Sequence, residues 1–133
     1  MIGKRSWAVL AVVCSVACAP VNPSQSAVVG HWKVVWACGV EALDLKANGT
    51  YSYAIDFAAG GQAADSGQWR LVAKAQRFEG AHVILENALD TCSVFGDKTV
   101  QPGRKDRRLE TMWEWGRMIL SFNPDIQGFT HAE

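Results

Sequence analysis

The sequence predicts an all-β protein: one small antiparallel up-and-down barrel of about seven or eight strands, after an N-terminal signal helix. Three observations carry this. From Val29 onward, no window of about 11 residues sets apolar side chains at helical spacing. The same region holds short runs of β-branched and aromatic residues that alternate with period two. Turn signals separate those runs roughly every 8–12 residues. A sheet this small must protect its edges from pairing with other chains, and closure does so.

The elements follow in order. "VVGHWKVVWA" reads as the first strand and ends at Cys38-Gly39. "VEALDLK" sets Leu43 and Leu45 on one face, Asp44 and Lys46 on the other. Asn48-Gly49 is the strongest hairpin signal, suited to a tight primed turn. In "TYSYAIDF", Tyr51, Tyr53, Ile55 and Phe57 share one face. Residues 58–67 read as a Gly/Ala-rich loop. Trp69 and Leu71 mark the next strand, and Val83 and Leu85 the one after. "ALDTCSVFGD" is open between a helical turn and a strand, and "KTVQPGRKDRR" reads as a polar loop. "LETMWEW" and "MILSF" are strands broken at Gly116, because Trp113 and Trp115 are out of phase with Met118, Leu120 and Phe122. The rest is a tail expected to pack Ile126 and Phe129 on the domain.

Residues 1–17 carry Lys4 and Arg5, then an apolar run from Trp7 to Val16, then small residues around Cys18. That is the layout of an export signal, and the run is too short to span a membrane. Residues 18–28 contain two prolines and small polar groups and read as a flexible tether; residues 29–133 form the barrel domain. Loss of Lys4 and Arg5 leaves eleven basic residues against thirteen acidic, a mature charge near −2. The balance gives nucleic-acid binding no support. Outside the cytoplasm, Cys38 and Cys92 are expected to pair. Such a bridge would close a loop of roughly 55 residues and contribute about 4 kcal/mol in the loop-entropy model. Neither cysteine has zinc-ligand spacing around it.

Ser15-Val16-Ala17-Cys18 resembles the lipobox of bacterial lipoproteins. The resemblance implies cleavage before Cys18, lipidation of Cys18 and attachment to a membrane. With Ala19 after the cysteine, it implies the outer membrane, facing the periplasm. The alternative is a soluble secreted or periplasmic protein cut after Ala19. Gly30-His31-Trp32, then "LDLKANGTYSY", then "SGQWRL" resemble the lipocalin-like small barrels of bacterial envelope proteins, over about residues 29–122. That resemblance implies that Trp32 plugs the closed end of a barrel, with Arg117 a candidate to cover it.

No catalytic, metal or cofactor site is expected. His31, His82 and His131 lie beside no nucleophile elbow, and Asp56, Glu86, Asp90, Glu110 and Glu114 read as solvated carboxylates. Arg104, Lys105, Arg107 and Arg108 form a basic run that suits an anionic surface. Six tryptophans, five of them beyond residue 17, are the most unusual feature of the composition. Core filling accounts for most, and Trp36, with Tyr51 or Tyr53, is the best candidate for a ligand-binding barrel mouth. The expectation is a lipid-anchored, non-catalytic binding module for a small apolar or cell-wall-derived ligand. The alternative is a barrel that docks on or inhibits an envelope protein through residues 58–66 and 97–108.

Overall fold

A computed structural model describes residues 18–20, 22–74, 80–90, 103–123 and 127–132. The proposed signal segment and Cys92 lie outside them. The strands are β1 (Cys18–Pro20), β2 (Gly30–Trp36), β3 (Gly39–Leu45), β4 (Thr50–Phe57), β5 (Gln62–Val72), β6 (His82–Leu89), β7 (Arg104–Glu114), β8 (Arg117–Asn123) and β9 (Gln127–His131). One helical turn, α1 (Gln25–Val28), precedes β2. Each strand from β2 to β9 pairs antiparallel with the next in sequence, and β9 pairs back onto β2. The result is a closed eight-stranded up-and-down barrel, compatible with a lipocalin-like domain. β1 lies outside this circuit, along the far half of β7. The stretch expected to be a tether thus contains β1 and α1, and Val28 at its end is fully buried.

Alternation sets the inner face. Trp32 and Val34 of β2, Leu43 and Leu45 of β3, and Tyr51, Tyr53 and Ile55 of β4 are all buried. Trp69, Val83, Leu85, Leu109, Leu120 and Phe129 complete the ring. The interior is packed with side chains over most of its length. One end is plugged. There the Trp32 indole N–H donates to the Val28 carbonyl (2.9 Å) and the Trp69 indole N–H to the Lys46 carbonyl (2.9 Å). Each large ring is buried with its one polar atom satisfied, which burial requires. The ring lying on Trp32 is the His131 imidazole, with centroids 3.7 Å apart. Arg117, expected to cover Trp32, is instead exposed at the start of β8.

Several boundaries differ from expectation. β5 begins at Gln62, inside the anticipated loop, so only residues 58–61 turn. Gly67 is demanded by its neighbour: a Cβ there would stand 2.9 Å from the Tyr51 ring. β7 begins at Arg104, so the basic run is strand rather than loop. Within the anticipated C-terminal tail, Gln127–His131 form β9, the strand that closes the barrel through buried Phe129, while Ile126 lies outside the described residues. The Asn48-Gly49 hairpin is present, but its loop has three residues. Gly49 alone takes the left-handed position (φ 84°), while Asn48 Oδ1 accepts the Thr50 N–H (3.0 Å). Trp113 and Trp115, read as strand residues that share a face, are both exposed, and Trp115 sits in the two-residue β7–β8 turn.

Candidate binding site at the open end

The end of the barrel opposite Trp32 carries the β2–β3 and β4–β5 turns and is open among the described residues. A cavity of about 390 Å³ lies there. Trp36, Leu89 and Phe122 form its apolar wall, and Lys105, Arg107 and Arg108 bring cations to it. Asp90 and Asp106 complete the polar rim.

Beneath the cavity is a buried polar cluster built by strand parity. Glu41 precedes Leu43 and Leu45 by even steps on β3, so it points inward; it is fully buried. Arg107 stands two residues before buried Leu109 on β7 and points inward too. Arg107 Nη1 meets Glu41 Oε1 at 2.9 Å. The Tyr53 hydroxyl donates to the same oxygen, and the Trp36 indole N–H donates to Oε2. The guanidinium also lies 5.4 Å from the Phe129 ring centroid and 5.5 Å from that of Phe122. Burial disfavours the charged guanidinium, but the facing Glu41 carboxylate more than offsets this and holds Arg107 above its ordinary value. A buried ion pair with its remaining donors and acceptors engaged is the arrangement that the low-dielectric interior tolerates. Its consequence is local order: Trp36 is held by Glu41 on one side and packs at 4.8 Å against Phe122 on the other.

A second inward carboxylate, Asp65 of β5, accepts the Leu89 N–H (2.9 Å), the Tyr51 hydroxyl (3.1 Å) and Arg104 Nη1 (3.1 Å). The Leu89 N–H reaches it because a bulge between Leu85 and Ala88 shifts β6 against β7, with Asn87 in a left-handed conformation (φ 47°). Burial pushes the Asp65 carboxyl up, but the hydrogen bonds from Leu89, Arg104, Tyr51 and Ser66 outweigh it and hold it below its ordinary value. Burial, followed by the bond to Asp65, pushes the Tyr51 hydroxyl up to about 12.

The residues singled out in the sequence separate accordingly. Trp36, Lys105, Arg107 and Arg108 come together at the cavity. Arg104 turns to Asp65. Tyr51 and Tyr53 are buried below, where they brace the two carboxylates rather than line the mouth. Lys105 is paired with Asp90 at 2.8 Å, and Arg108 makes no ion pair among the described residues. Residues 62–66 and 104–108, placed in docking loops, are strand. Glu41, Asp65 and Phe122 were not anticipated at the site. Their signal was parity, since Glu41 is in phase with Leu43, Asp65 with Trp69, and Phe122 with Leu120.

Comparison of the chain with protein-family models, curated proteins and solved structures finds no match.

Proposed function

We propose that this protein is a lipid-anchored, non-catalytic binding module of the cell envelope whose open end holds one small amphipathic ligand. The observation that carries the reading is the 390 Å³ cavity between the Trp36 and Phe122 rings and the Lys105–Arg108 rim. That volume lies within the range of small-molecule sites, which combine apolar walls with a few placed polar groups. A ring or short apolar face would lie against Trp36 and Phe122. Its anionic groups would meet Arg108, and its hydroxyls would donate to Asp90 and Asp106. Cell-wall sugar fragments and short lipids have that character. Emission from Trp36 should change on titration with N-acetylated cell-wall disaccharides or short-chain fatty acids, and Trp36→Leu should abolish the change. A panel that leaves the emission unaltered would refute the reading.

The same reading places the barrel outside the cytoplasm, held by acylated Cys18, with Cys38 bridged to Cys92. The bridge is supported by Cys38, which is half-buried in the β2–β3 turn and already engaged. The mass of the mature protein from its native host tests both modifications. Acyl chains on Cys18 and the absence of two thiol hydrogens are expected. An unmodified N-terminus or two alkylatable thiols would refute the corresponding part.

A further inference from the structure

We propose that the β7–β8 hairpin is a membrane-contact surface, with Trp113 and Trp115 entering the interfacial layer of the bilayer that holds the N-terminal segment. The proposal rests on reading residues 1–18 as an export and anchoring segment. Three observations carry it.

The first is exposure. Trp115 is 78% exposed and Trp113 41%, at the tip of a hairpin whose facing residue across from Trp113 is Met118. The remaining described tryptophans are buried or pack inside the barrel mouth. Large rings left in water lose the burial that makes them favourable elsewhere.

The second is backbone conformation. Trp115 and Gly116 both have positive φ (48° and 82°), as in a type I′ turn. Asn or Gly adopts the first position readily, and a bulky aromatic does so only at a cost. Among the described residues, the fold gains little packing from the Trp115 ring in return. A strained, exposed aromatic at a turn tip points to use outside the fold.

The third is where the chain comes from. β1 pairs antiparallel with β7, placing Cys18 opposite Glu114, Ala19 opposite Trp113 and Pro20 opposite Met112. This direction sets Cys18 at the tip side of the hairpin. The apolar stretch Trp7–Val16, or acyl chains on Cys18, therefore joins the fold beside Trp115. An anchor there brings the tip to the bilayer surface. Indole rings, apolar in body with one N–H donor, favour that layer. The hairpin lies at the plugged end, so this contact directs the cavity away from the membrane.

The test uses the full chain, wild type and Cys18→Ser, in phosphatidylethanolamine–phosphatidylglycerol vesicles whose acyl chains carry bromine. In both forms, the share of tryptophan emission quenched by the bromolipid should fall at least twofold in the W113T/W115N variant. The thermal midpoint of that variant should be no lower than the parent's, because Asn suits the turn. Equal quenching in variant and parent would overturn the proposal. So would a dimer of the parent in detergent that the variant loses, since that assigns the hairpin to a second copy of the chain. The mass at Cys18, read on the same sample, reports acylation separately; an unmodified cysteine would refute that chemistry while the quenching comparison still decides the hairpin.

Discussion

Glu41 and Arg107 determine how the open end is organised. Each is buried against the other, and each has further partners that would be stranded by its loss. Glu41→Gln or Arg107→Met should each cost about 3–5 kcal/mol in urea unfolding, since either leaves an unpaired charge inside. The double replacement should cost less than the sum of the two, and strict additivity would show that the pair is not coupled. Tyr51 gives a pH signature. Its folded pKa of about 12 lies above the ordinary tyrosine value of 10.0, so the folded state keeps a proton that the unfolded chain releases. Stability is then complete below about pH 10 and falls as pH rises toward 12. The thermal midpoint should drop across that window in the parent and drop less in Tyr51→Phe. Equal slopes would contradict this. These residues were partly legible in the sequence. The basic run and Trp36 stood out by type, whereas nothing about Glu41 and Asp65 as residue types set them apart. Only their phase with Leu43 and Trp69 distinguished them, and phase shows the face of a strand, not what waits across the barrel.

At the scale of elements, strands with a strong alternating pattern were readable, and strands defined by their neighbours were not. β4 announces itself through Tyr51, Tyr53 and Ile55. β5 does not, because its first half holds only small or polar side chains, with Gly67 bare beneath the Tyr51 ring. Among its described side chains β9 carries only Phe129 in the core, so it reads as a tail, yet it joins β8 to β2 and closes the barrel. The basic run hid the start of β7 because its charges are exposed except for Arg107, which is largely buried. Phe129→Ala should therefore act on the whole barrel rather than on a frayed end. A loss of about 3–5 kcal/mol is expected from the core truncation. A loss below about 1 kcal/mol would mean that β9 is not integral to the closed sheet.

For the whole molecule, the two ends of one barrel differ in how they are packed. Trp32, Trp69 and Val28 fill one end with satisfied indoles and an overlying helical turn. The other end keeps Trp36 and Phe122 half-buried around a cavity floored by an ion pair. The closed topology followed from strand count and edge protection. The asymmetry did not, because tryptophans in similar strand contexts serve as plug, wall and exposed tip. Their roles depend on how far each lies from the barrel end, which spacing along one strand does not reveal.

Under the proposed function, ligand recognition belongs to the open end alone. Amide chemical-shift mapping of the isotope-labelled protein, during titration with the compound that most alters Trp36 emission, tests this directly. Shifts concentrated at Trp36, Leu89, residues 105–108 and Phe122, with Trp32 and Trp69 unmoved, are the predicted result. Shifts centred on Trp32 and α1, or none for any compound in the panel, would contradict it.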